Sequence, residues 1–129
     1  ENTGNRIVDL SFEFALNVIK FTEMLEDQRI YRLADQLWRS GTSIGANIEE
    51  AQCAETRLDF IHKLKIAAKE CEETSYWLKF AADFDESLWQ QNEEIKRILS
   101  AIIGTVVDIL IIGIENNKNS AHSYLTFQL

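Results

Sequence analysis

The 129-residue sequence contains no proline, only five glycines and only two cysteines. Average usage would place about six prolines in a chain of this length. Their absence excludes polyproline and collagen-like structure, argues against a turn-dense β-sandwich, and permits long helices. Cys53 and Cys71 form no CxxC pair and have no nearby histidine pair to complete a metal site, so they read as reduced, largely buried thiols of a cytoplasmic protein. The first residues, Glu1 to Asn5, show neither the basic region nor the apolar run of a signal peptide.

Positive charge is also scarce. There are 13 Lys and Arg against 21 Asp and Glu, a net charge of −8. That balance excludes a general nucleic-acid coat protein, because phosphate binding rests on clustered cations that release counterions. The bases gather in the middle of the chain, where Arg29, Arg32, Arg39, Arg57, Lys63, Lys65 and Lys69 outnumber the acids, and an anionic partner would have to bind there.

What the chain does have is 46% apolar residues, enough for one sizeable core without metal or disulfide support, and they recur with helical period. Ile7, Leu10, Phe14, Val18, Phe21 and Leu25 share one face, with Val8, Phe12, Ala15 and Ile19 in a second stripe beside it. Leu33, Leu37, Ile44, Ile48 and Ala51 mark a second helix, opening near Asp27 as a plausible N-cap. Thr56 with Asp59 resembles a capping box for a third, carried by Phe60, Leu64, Ala67, Cys71, Leu78 and Ala81. Asp59 with Lys63 and Glu93 with Arg97 have favourable i, i+4 spacing.

Asp83 to Ser87 ends the third helix, and Ser87 with Gln90 signals a fourth, carried by Ile95, Leu99, Ile102, Val106 and Ile109. Asn116 to Ser120 reads as its end, followed by a strand-like tail. The expectation is a single all-α domain, an antiparallel up-down-up-down four-helix bundle, with helices near 5–26, 28–54, 57–83 and 88–114 and a tail at 116–129.

The first and last helices carry more apolar surface than one bundle seam uses, which predicts a symmetric homo-oligomer. The apolar stretch Ile98–Ile114 is shorter than the ~20 residues of a membrane span and holds Asp108, so no membrane helix is expected. The run Ser40-Gly41-Thr42-Ser43-Ile44-Gly45 reads as a site of close helix contact, with a local break or a ligand cradle as alternatives. It has no lysine after the second glycine and so matches no phosphate fingerprint. No catalytic set can be placed and no metal site is expected: only Asp59-Phe60-Ile61-His62 comes near the Glu-x-x-His spacing of a bundle metal centre, and His122 lies in the tail with Asn119 three residues before it. Arg39, Asn47 and Glu73 are expected to form a polar network that fixes helix register, and Trp38, Tyr76 and Trp77 to be core or interface aromatics.

At this point the second and third helices resemble a known family. The run Arg39 to Ala51, which includes Ser40, Gly41, Ser43, Gly45, Asn47 and Glu50, is followed by Asp59-Phe60, Lys63-Leu64, Ile66-Ala67, Lys69-Glu70 and then Glu73 to Leu78, with Tyr76 and Trp77. Together they look like the four-helix bundle proteins encoded by 23S rRNA intervening sequences. The resemblance implies a homopentamer without established enzymatic activity or cofactor. It also implies kinship with the accessory protein of diversity-generating retroelements, which binds nucleic acid and a reverse transcriptase. The corresponding expectation is a non-enzymatic oligomeric adaptor, touching RNA or a reverse transcriptase-like protein through Arg29, Arg32, Arg57, Lys63, Lys65 and Lys69. At −8 per chain, five copies carry −40, which opposes broad nucleic-acid binding. The alternative is a bundle that binds a small ligand or a metal.

Overall fold

A computed structural model describes residues 2–81 and 85–127, the last seven by their backbone alone. Four helices follow in order: α1 Arg6–Asp27, α2 Tyr31–Gln52, α3 Arg57–Leu78 and α4 Glu86–Phe127. Each packs on its two neighbours, α1 on α2 and α4, α3 on α2 and α4, with no diagonal packing among the described residues. Short connections make successive helices antiparallel, as in an up-down-up-down bundle. Between them lie Phe14, Val18, Leu25, Leu37, Ile44, Ile48, Leu64, Leu78, Ile95 and Leu99, almost wholly shielded from solvent. These residues belong to the stripes read from the sequence.

The helix ends differ in instructive ways. Asp27 is the last residue of α1 and not a cap for α2. The Arg29 amide donates to the Glu26 carbonyl at 2.8 Å and the Ile30 amide to the Leu25 carbonyl at 2.9 Å, a Schellman closure. Arg29 holds the left-handed position such a closure needs, with φ 64°. Thr56 caps α3 as expected, accepting from the Asp59 amide at 3.0 Å. For α4 the cap is Asp85, whose carboxylate accepts from the Ser87 amide at 2.9 Å and the Leu88 amide at 3.3 Å. Ser87 and Gln90 therefore lie inside the first turns, because the stronger capping side chain stands two residues earlier. Helix α3 closes at Leu78, five residues short of expectation; Asp83 and Phe84, part of the expected break, lie outside the described residues.

The largest correction concerns the C-terminal segment. Helix α4 does not stop at Ile114 but runs through Asn116–Ser120 to Phe127, 42 residues in all. Asparagine lowers helix propensity by well under about 1 kcal/mol per residue and the segment has no proline, so nothing in it forces a break. The tail residues Leu125 and Phe127 are thus in helical backbone, while Leu129 lies outside the described residues. Past Ile103 the helix leaves the core: Ile98, Ile102 and Ile103 still pack against it, whereas Ile109, Ile111, Ile112 and Ile114 are exposed. By length and composition, Glu86–Ser120 is apolar enough to cross a membrane, and almost none of its most apolar window is covered by the rest of the chain.

Candidate functional site

The residues of the family-like motif meet along the contact of α2 with α3. The Arg39 guanidinium pairs with the Glu73 carboxylate and, at 3.4 Å, with Glu70 Oε2. Glu73 Oε1 also accepts from Trp77 Nε1 at 3.2 Å, one turn further along α3. Beneath them the Thr74 hydroxyl donates to the Ser40 hydroxyl at 3.0 Å, with both residues fully buried. At the other end of the contact, Lys63 pairs with Glu50 at 2.9 Å. Lys63 is thus bonded across the helices and not to Asp59 along its own, and Glu93 pairs with Lys96 rather than at i, i+4 with Arg97.

Asn47 stands outside this network. Its side chain donates to the Ser43 carbonyl at 2.8 Å, one turn back in α2, and the Ser43 hydroxyl donates likewise to the Arg39 carbonyl at 2.6 Å. The register-fixing role expected for Arg39, Asn47 and Glu73 therefore falls to Arg39, Glu70, Glu73 and Trp77. Asn47 is spent on its own helix because it is placed on a different face.

Desolvation raises the Glu70 carboxyl above its ordinary pKa, Arg39 opposes the shift, and the neighbouring Glu73 charge adds to it. The Glu50 carboxylate holds the Lys63 ammonium above its usual range. Burial pushes the Cys71 thiol up to about 12, which makes it an inert core group. Cys53, in contrast to expectation, is exposed, since it falls just past the end of α2. Among the described residues no three His, Cys, Asp or Glu side chains converge as metal ligands, and His62 lies on the outer face of α3.

The small-residue run is uninterrupted helix pressed against α1. A β-carbon on Gly41 would lie 2.8 Å from Val18 Cγ1, and one on Gly45 would lie 3.4 Å from the Ser11 carbonyl oxygen. This is the close-contact reading. Ser40 and Gly41 face inward, so no open cradle exists there.

Two apolar patches remain on the surface of the bundle. Between α1 and α2 runs a groove of about 360 Å³ floored by Ala15, Ile19 and Gly45 and flanked by Phe12 and Trp38, with Glu49 on its rim. Phe12 and Trp38 are 55% and 49% exposed, values too high for core aromatics. At the end of α3, Tyr76 and, just past the helix, Phe80 stand out from the bundle with ring centroids 5.1 Å apart, and Trp77 closes the cluster at 5.1 Å from Tyr76. Tyr76 shares its outer stripe, at spacings of three, four and seven, with His62, Lys65 and Lys69. Trp38 and Tyr76 are therefore surface aromatics, whereas Trp77 packs on the core.

The cations proposed for nucleic acid do not form one patch. Arg29 and Arg32 lie at the α1–α2 turn and Arg57 at the start of α3, at the far end of α2, a 22-residue helix roughly 33 Å long. Lys63 is paired, and Lys65 and Lys69 lie midway along α3. Sequence reasoning missed Phe80 and Tyr31 as exposed aromatics; both stand at helix ends, where periodicity is weakest.

Residues 4–106 match the family model of the 23S rRNA-intervening sequence protein. No curated protein of known role matches the chain. The crystal structure of a protein of unknown function from the S23 ribosomal protein family of Bacteroides thetaiotaomicron is similar, with 40% identity and a TM-score of 0.71, covering 75% of this chain and 97% of that one. The end of α4 lies beyond the family match.

Proposed function

Since the chain belongs to the 23S rRNA-intervening sequence protein family, we propose that it acts as a non-enzymatic scaffold, a head-to-tail ring of copies whose number, five, follows the family resemblance. The observation that carries this reading is the pair of unlike apolar patches. A groove flanked by Phe12 and Trp38 lies on one side of the bundle, and a projecting Tyr76–Phe80 cluster lies on another. One surface is concave and rimmed by Glu49; the other is convex, with Lys69 two turns back along its stripe of α3. Two unlike, complementary patches on one chain make a heterologous contact, which closes into a ring when the rotation allows. Buried tyrosine and tryptophan are the side chains that most often dominate such contacts.

The partner this scaffold would present itself to is a protein and not bulk RNA. Its cations are spread along the bundle from end to end, and each copy brings a net charge of −8 to the assembly. The adaptor reading keeps a reverse transcriptase-like partner within this class. RNA binding that falls steeply between 50 and 200 mM salt would instead assign the interaction to Arg29, Arg32, Arg57, Lys63, Lys65 and Lys69.

The head-to-tail arrangement has a direct test. Trp38→Glu spoils the groove alone and Tyr76→Glu the projecting cluster alone. Each variant by itself is expected to sediment as a monomer with wild-type helix content. Their mixture is expected to give dimers, because one intact groove and one intact cluster remain. A variant that still assembles, or a mixture that stays monomeric, contradicts the reading.

A further inference from the structure

The groove and the projecting cluster stand at one level of the bundle, and so do two opposite charges that share their helices. Helices α2 and α3 are antiparallel, and the Thr74–Ser40 hydrogen bond at 3.0 Å marks their register. Trp38 comes two residues before Ser40 and Tyr76 two residues after Thr74, so in antiparallel helices both lie equally far along the bundle from that bond. Glu49 comes nine residues after Ser40 and Lys65 nine before Thr74, which sets them level with each other in the opposite direction. The Lys63–Glu50 pair at 2.9 Å shows that the register holds to that end of the contact.

Trp38 with Glu49 and Tyr76 with Lys65 are thus two marks of equal length, each roughly 16 Å from an exposed aromatic to an exposed charge. They lie on different faces of the chain. Glu49 sits on the rim of the groove and Lys65 on the outer stripe of α3, and neither side chain makes a hydrogen bond or ion pair with any other described residue.

We propose that adjoining copies in the ring stand the same way up, related by rotation about an axis that runs along the bundle, and that Glu49 of each copy pairs with Lys65 of the next. The inference rests on the ring reading given above and adds the orientation and register of its joints. A rotation about such an axis leaves every residue at its own level. When Tyr76 of one copy enters the groove beside Trp38 of its neighbour, Lys65 therefore arrives level with Glu49 without any sliding. An inverted copy making the same aromatic contact would carry Lys65 and Lys69 toward Arg29 and Arg32, at the other end of α2, where like charges oppose it. An exposed ion pair adds little affinity, so the effect of this one is to select the upright joint over the inverted one.

Charge reversal in the full chain tests the pair. Both side chains are exposed and unbonded within the chain, so Glu49→Lys, Lys65→Glu and the double variant are expected to keep wild-type helix content. In sedimentation velocity, each single reversal is expected to raise the concentration at half assembly by roughly tenfold, because repulsion replaces attraction at every joint. The double variant is expected to return close to wild type. Glu49→Lys separates pairing from bulk charge, since it moves the net charge from −8 to −6 and by that alone would favour assembly. Unchanged or stronger assembly of Glu49→Lys, or a double variant that shows the sum of the two single defects, overturns the upright pairing; a wild type that still forms a ring then leaves the ring reading standing. A monomeric wild type removes both.

Discussion

Gly41 of α2 lies so close to Val18 of α1 that a β-carbon on the glycine would sit 2.8 Å from Val18 Cγ1. Val18 is branched, short and 1% exposed, so it has little freedom to withdraw. Gly41→Ala is therefore expected to destabilise the bundle by about 1 to 3 kcal/mol despite the better helix propensity of alanine. Combining it with Val18→Ala should recover part of the loss. Denaturant unfolding of the two single variants and the double variant measures the coupling, and simple additivity would show that the two residues do not touch.

Arg29 occupies left-handed backbone at the Schellman closure of α1. A side chain there costs roughly 1 kcal/mol that glycine avoids. Arg29→Gly is thus expected to raise the melting temperature, an outcome opposite to the usual effect of adding glycine. A fall would mean that the arginine side chain contributes more than its backbone strain removes.

Glu70 carries the pH dependence of the α2–α3 network. Its carboxyl titrates above the ordinary glutamate range because of desolvation, so the protonated form is favoured in the folded state. The sign follows: the contribution of Glu70 is fully present below its unfolded pKa and is lost as pH rises through the higher folded value. Glu70→Gln cannot lose it. The variant's melting temperature relative to wild type should therefore be higher at pH 7 than at pH 4. A constant difference across that range would contradict the assignment.

Asn92 is fully buried between α4 and α3, donating to the Cys71 carbonyl at 2.9 Å and to the Ser75 hydroxyl at 2.8 Å. Asn92→Ala removes both bonds, leaves the Cys71 carbonyl without this donor and opens a small cavity, an expected loss of about 1 to 3 kcal/mol. The Asn92 carbonyl oxygen has no partner in the structure, so Asn92→Asp, which would place a buried charge there, should cost more. Chemical denaturation at neutral pH ranks the two.

The inward stripes of all four helices were legible in the sequence, because residues such as Phe14, Leu37, Leu64 and Ile95 repeat at three and four. The close approach at Gly41 was legible for a similar reason, as small residues there interrupt an otherwise bulky face. Ends were harder to read. Arg29 in left-handed backbone has no composition signal, and Asp85 competed with Ser87 for the same cap. The continuation of α4 past Asn116 was hidden because weak helix formers look like a stop, yet no single residue there breaks a helix. Asn47 and Glu73 looked like partners because both stand near apolar stripes, but Asn47 bonds back to Ser43 on its own helix and it is Arg39 that reaches Glu73. The exposure of Trp38 and Tyr76 could not be read from periodicity, which separates faces but does not say which face a neighbouring copy covers.

The central claim is that copies of this chain assemble through their uncovered apolar faces. Native mass spectrometry of the protein recovered from its own cells tests it most directly, since stoichiometry and any attached macromolecule are read together. The account predicts a species of five subunit masses, carrying protein rather than RNA when anything is attached. A spectrum holding only the monomer would contradict it.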